Sequence, residues 1–75
     1  MEFGNFIRQA REELAAHDRL FTLRQVAGRL GVEPAYLSKI ERGVFPPPSE
    51  EVILNLANIL GQDKDLLMAL AGKVS

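Results

Sequence analysis

Two short blocks of helical apolar spacing, separated by only three residues, limit this chain more than any other feature. Leu23, Val26, Ala27 and Leu30 follow the i, i+3, i+4, i+7 rule, and Leu37 and Ile40 continue on a second block. Between them lies Gly31-Val32-Glu33. A glycine accepts the left-handed backbone that ends a helix at little cost. Pro34 suits the first turn of the helix that follows, where its missing N–H is not needed. Two helices joined this tightly must cross at a steep angle, and a small residue is required where they touch. Ala27, four residues before Gly31, meets that need; Val32 plugs the turn, and Leu37 and Ile40 pin the second helix to a core.

Three further blocks complete the pattern. Phe3, Phe6, Ile7, Ala10 and Leu14 fall within one narrow arc; Ile53, Leu56, Ala57 and Leu60 repeat the rule; Leu67, Leu70, Ala71 and Val74 predict a fifth helix. Residues 17–21 lose the period, and Thr22 is a good N-cap for the second helix. Gly43 ends the third. Pro46-Pro47-Pro48 predicts a stiff extended connection, Ser49 caps the fourth helix with Glu50 and Glu51 in its first turn, and Gly61 closes it. Asp63 or Asp65 starts the fifth. No strand pattern competes, so the class is all-α, in a single domain over residues 1–75. Its centre is a helix-turn-helix at residues 22–43.

Composition narrows the function. There is no cysteine among the 75 residues, which excludes a disulfide framework and thiolate zinc. No apolar run approaches the roughly 18 residues needed to span a bilayer, and the opening MEFGNFIRQ lacks the apolar core of a signal peptide. A soluble, cytoplasmic protein with no membrane partner is expected. The one histidine, His17, stands in the irregular segment with no serine or cysteine nearby. Metal-ligand spacing and a glycine-rich phosphate loop are both lacking. The expectation is therefore a protein that is not an enzyme and uses no cofactor and no metal. The net charge of −1 argues against nucleic acid, but the charge is uneven. Met1 to Gly43 holds seven bases and six acids, while Val44 to Ser75 holds two bases and four acids. Phosphate neutralisation needs a local basic face, not a basic protein.

Projected at about 100° per residue, the third helix buries Leu37 and Ile40 and gathers Pro34, Ala35, Ser38, Lys39 and Arg42 on the opposite side. That outer surface is small near its start and basic further on, which suits a helix entering the major groove. Any amphipathic helix has a polar outer face, so the projection alone leaves a purely solvated surface equally open.

The stretch TLRQVAGRLGVEPAYLSKIERG, Thr22 to Gly43, closely resembles the Cro/repressor-type (XRE) helix-turn-helix family. The resemblance rests on the Ala27–Gly31 spacing, the run from Leu37 to Gly43, Pro48-Ser49 ahead of the fourth helix, and the leucine-rich Leu54–Leu60 followed by Gly61 and Leu66-Leu67. It covers nearly the whole chain. It implies a five-helix, lambda-repressor-like DNA-binding domain whose recognition helix, residues 34–42, lies in the major groove of double-stranded DNA. It also implies a transcriptional regulator acting as a homodimer on a two-fold operator. Phage repressor, toxin-paired antitoxin, restriction-modification controller and stress regulator all remain open as subtypes. A protein-interaction module or antitoxin reusing the fold is the alternative.

Two departures from the family pattern matter. Leu23 stands where the family often has a phosphate-fixing glutamine, and Pro34 and Ala35 stand where a polar reader is common. Amide reading of adenine is thus lost at that end, leaving Pro34 and Ala35 for apolar contact such as a thymine methyl. Lys39 is the candidate for guanine O6/N7, and Ser38 is adaptable. Arg42, the Gly43 N–H and the helix start at Thr22, Leu23 and Arg24 are candidate phosphate clamps. For Tyr36, packing and a phosphate contact stay equally open. Arg11 and Glu41 occupy the places where the family forms an inter-helix ion pair, so a structural role is expected for both. The apolar pattern reaches the last residues without a terminal cap. The expectation is a shortened chain, or a fifth helix that continues into a partner or a further C-terminal region. Leu66, Leu67, Met68, Leu70 and Val74 are expected to supply a dimer seam there.

Overall fold

The computed structural model describes residues 2–73. Five α-helices follow in order: α1 (Glu2–Ala15), α2 (Leu23–Leu30), α3 (Pro34–Glu41), α4 (Glu50–Leu60) and α5 (Lys64–Leu70). No strand occurs among the described residues. The helices enclose one core in which Phe3 and Ile7 of α1, Val26 and Ala27 of α2, Leu37 and Ile40 of α3, Ile53 and Leu56 of α4, and Leu67 of α5 are all buried.

Helix boundaries follow from local chemistry. Thr22 Oγ1 accepts the Gln25 N–H at 3.3 Å, and Ser49 Oγ accepts the Val52 N–H at 3.4 Å, so both hydroxyls take a donor that the helix itself leaves unpaired. At the other end of α2, Gly31 adopts φ +73°, and the Val32 N–H returns to the Ala27 carbonyl at 3.0 Å. That closure turns the chain directly into α3, with Pro34 in its first turn. Ala27 is fully buried at the centre of this corner.

Three sequence expectations need correction, and one segment that the sequence left open is defined. That segment, which loses the helical period, holds a 3-10 turn at Arg19–Phe21, capped by Asp18 Oδ1 on the Leu20 N–H at 2.9 Å. It brings Phe21 against the core. Helix α3 stops at Glu41, so Arg42 is its C-cap residue rather than part of its last turn. Helix α5 ends at Leu70 and does carry a terminal cap. Gly72, at φ +75°, lets the Lys73 N–H reach the Met68 carbonyl at 2.9 Å. Val74, placed by its spacing on α5, lies outside the described residues. Finally, the apolar surplus of α5 is small. Leu67 is fully buried, Met68 and Leu70 pack against the domain's own core, and Leu66 alone of the four is exposed, at 43%.

One close approach has no counterpart in the apolar pattern. Gly4 is buried in α1, and a Cβ there would fall inside the carbonyl oxygen of Ile40 and within 2.8 Å of that of Glu41. Helix α1 therefore meets the last turn of α3 backbone to backbone. No helix of the described residues is long and apolar enough to cross a membrane.

Candidate nucleic-acid interface

The candidate surface depends first on what holds α3 in place. Arg11 on α1 and Glu41 at the end of α3 form a buried, two-pronged ion pair. Arg11 Nε donates to Glu41 Oε2 at 2.7 Å, and Nη2 donates to Oε1 at 3.1 Å. The remaining prong, Nη1, donates to the Phe21 carbonyl at 3.2 Å. The planar fork of a guanidinium suits this task, because one side chain addresses a carboxylate and a carbonyl at fixed angles. Three segments meet at Arg11: α1, the 3-10 turn and α3. No buried side-chain nitrogen or oxygen among the described residues lacks a partner.

With Leu37 and Ile40 buried, Ala35, Ser38, Lys39 and Arg42 share the opposite side at i, i+3, i+4, i+7 spacing. Ala35 is exposed and Pro34 half-buried at its edge. Ser38 is half-buried, and its hydroxyl accepts Arg42 Nε at 3.2 Å. Arg42 is exposed, so this bond aims the guanidinium along the helix without burying it. Lys39 is half-buried, with its ammonium 5.1 Å from the centre of the Phe45 ring.

At the start of α2, Thr22 and Arg24 are exposed. The first helical bond is Val26 N–H to Thr22 O, and the Gln25 N–H is taken by the Thr22 hydroxyl. The N–H groups of Leu23 and Arg24 precede both bonds and point to the helix's open end, where an anion is favoured.

Of three further candidates, Gly43 is placed against its sequence expectation, while the parts open to Leu23 and Tyr36 are narrowed. The Leu23 side chain packs against the core, which leaves only its N–H for an outside acceptor. The Gly43 N–H is already spent: at φ +75° it donates to the Ile40 carbonyl at 3.1 Å, closing α3, and is not free to clamp a phosphate. For Tyr36, packing is observed, since the ring is half-buried against the core and its centre lies 5.8 Å from that of Phe45. Sequence reasoning missed two residues that brace the elements around this surface. Arg29 on α2 donates to the Leu20 carbonyl at 2.6 Å and lies 4.7 Å over the Phe21 ring, which ties the 3-10 turn to α2. Phe45 is the second, and its signal was an apolar Val-Phe pair in a loop with no helix to amphipathically bury it.

A helix pair crossing over a glycine turn, with the second helix pinned at its end by a buried ion pair and its outer face left clear, defines a helix-turn-helix domain. The helix-turn-helix domain family matches residues 2–70, and the chain belongs to that family. Two uncharacterized HTH-type transcriptional regulators of Mycobacterium tuberculosis, from strains CDC 1551 / Oshkosh and ATCC 25618 / H37Rv, are each 41% identical to it over 69 residues. The alignment covers 92% of this chain and 45% of each relative, so the chain spans about half the length of the curated relatives it matches. No solved structure matches it.

Proposed function

We propose that this domain binds duplex DNA with α3 in the major groove and serves a transcriptional regulator. The observation that carries the reading is the outer face of α3. Ala35, Ser38, Lys39 and Arg42 line one side of a helix that is fixed in the domain by Arg11 and Glu41. In this reading Lys39 donates to guanine O6/N7, Ser38 adapts to its neighbour base, and Pro34 and Ala35 make apolar contact with a thymine methyl. Arg42 and the first turn of α2, from Thr22 to Arg24, meet phosphates and set the register. The relatives' description as transcriptional regulators supports the same use.

One helix reads only a few base pairs, and a single small module leaves most specificity unmet. Two copies on a two-fold operator, with recognition helices about 34 Å apart along the groove, supply the rest. Among the exposed apolar side chains, Leu54 on α4 and Leu66 on α5, each 43% exposed, are the candidates for such pairing near α5. Selection of bound sequences from a random duplex pool tests the proposal. Enrichment of a repeated half-site is the expected result, and no enrichment overturns DNA reading. A second use, as a protein-interaction module or antitoxin on the same fold, draws support from the net charge of −1. Salt separates the two, since phosphate contacts lose affinity steeply as salt rises.

A further inference from the structure

The loop after α3 carries two apolar side chains at the surface, Val44 at 58% and Phe45 at 37% exposure. A segment that only linked α3 to α4 would have no use for them. Phe45 is engaged by two side chains. Its ring lies 5.8 Å, centre to centre, from Tyr36 and is tilted by 47°. On its other contact, the Lys39 ammonium sits 5.1 Å from the ring centre. The backbone repeats the link, because the N–H groups of Val44 and Phe45 both donate to the Lys39 carbonyl, at 2.8 and 3.2 Å. The left-handed Gly43, at φ +75°, is what folds the loop back far enough to do this. Lys39 is therefore gripped by one loop at its carbonyl and again at its tip.

A lysine is a poor reader when left alone. Its ammonium is a compact charge on a flexible four-carbon stem, without the fixed fork of an arginine. An aromatic face attracts such a cation through its quadrupole. It covers one side of the ammonium and makes no competing carboxylate-like bond, so the remaining N–H donors face away from the ring. Tyr36, itself packed against the core, contacts the same Phe45 ring.

We infer that Phe45 is a positioning residue for Lys39: its ring holds the ammonium over the outer face of α3 and thereby sets which base the domain prefers at one operator position. This rests on the DNA reading of α3 given above. The ring does not itself need to touch DNA. A cation held over a ring at a part-exposed site shifts an equilibrium by about two- to five-fold, which sets the size of the effect.

The test measures binding of the whole chain to a selected operator, to versions altered at the Lys39 position, and to random duplex. Phe45→Leu keeps apolar bulk without a ring, and Phe45→Trp keeps the ring face. Phe45→Leu is expected to lower the preference for guanine at that one position by about two- to five-fold, with affinity for random duplex unchanged. Phe45→Trp is expected to retain the preference. In a Lys39→Ala background, Phe45→Leu is expected to alter no base preference. The Lys39 ε-methylene protons of the free protein should also move downfield in Phe45→Leu as the ring current is lost. Wild-type preference in Phe45→Leu, or the same loss with and without Lys39, would overturn the assignment while leaving DNA binding in place. A wild-type chain that enriches no sequence would overturn the DNA reading, and this assignment with it.

Discussion

Replacing Glu41 with alanine removes the partner of a nearly dry guanidinium. The Arg11 and Glu41 side chains keep only 10% and 5% of their accessible surface, and two bonds of 2.7 and 3.1 Å are lost at once. Breaking one side of a buried pair costs about 3–5 kcal/mol, because the remaining charge stays buried without compensation. Arg11 still donates to the Phe21 carbonyl, which moves the expectation to the lower end of that range. At about 0.05–0.15 kcal/mol per residue, a 75-residue domain holds a total of the same order as the loss. A small domain shifts by about 4–8 °C per kcal/mol, so Glu41→Ala should lower the midpoint of thermal unfolding by more than about 12 °C. Circular dichroism of the free protein is sufficient to read it. The decisive control is Arg11→Met with Glu41→Leu, which removes both charges and fills the space. If a stranded charge is the cause, the double variant recovers most of the wild-type stability or exceeds it. A Glu41→Ala midpoint within 2 °C of wild type would refute the burial reasoning. A double variant as unstable as the single one would show that the loss lies in the tie between α1 and α3, not in the charge.

Three further outcomes follow from the same geometry. Lys39→Ala should relax base preference at one operator position at a cost of about 1–3 kcal/mol, whereas Arg42→Ala should weaken all sequences alike and reduce the salt slope by about one unit; equal loss across a panel of operator variants for Lys39→Ala would refute its base-reading role. Gly4→Ala should lower the unfolding midpoint although alanine gains about 1 kcal/mol of helix propensity, because the added Cβ meets the carbonyls of Ile40 and Glu41 rather than a yielding side chain; a raised midpoint would refute the close approach. Leu66→Lys, with its fold intact, should reduce two chains per operator to one in sedimentation with DNA, and unchanged cooperativity would place the dimer seam elsewhere.

The helices were legible in the sequence because their signals are local. Apolar spacing, Thr22 and Ser49 as caps, and Gly31 and Gly61 as stops each act within a turn or two of the residue concerned. Spacing alone does not mark the end of α5: Leu67, Leu70, Ala71 and Val74 keep their period across Gly72, a left-handed glycine at which the chain turns. The apolar surplus of α5 is smaller than its spacing suggests, since spacing reports that Met68 and Leu70 are apolar but not that they pack partly against the domain's own core. Gly4 and Phe45 were illegible for a different reason. A glycine inside a helix reads as a weak point until the opposing backbone is known, and an aromatic residue in a loop has no period to place it. Gly43 carried a true signal with two meanings: a left-handed glycine ends a helix and also exposes an N–H, and only the returned bond to Ile40 shows which use prevails.

Contacts that the sequence foretold and contacts that it hid converge on one place, the last turn of α3. Gly4 meets its carbonyls from α1, Arg11 grips Glu41 from the same helix, and the loop after Gly43 returns two N–H groups to Lys39. Leu37, Ile40 and Tyr36 seat α3 on the core, and its C-terminal end is held in addition by contacts from two directions. Since Ser38 and Lys39 lie one turn from that end, a small rotation there moves their donors more than it moves Ala35. The close approach at Gly4 and the ion pair at Glu41 therefore belong to the same device as the exposed face. If α3 reads bases as proposed, changes at either would alter base preference without touching DNA, together with a loss of stability. On the assignment proposed for Phe45, a change there would redirect the Lys39 ammonium while the helix stays where Arg11 holds it. That difference separates the residues that aim the helix from the one that aims its side chain.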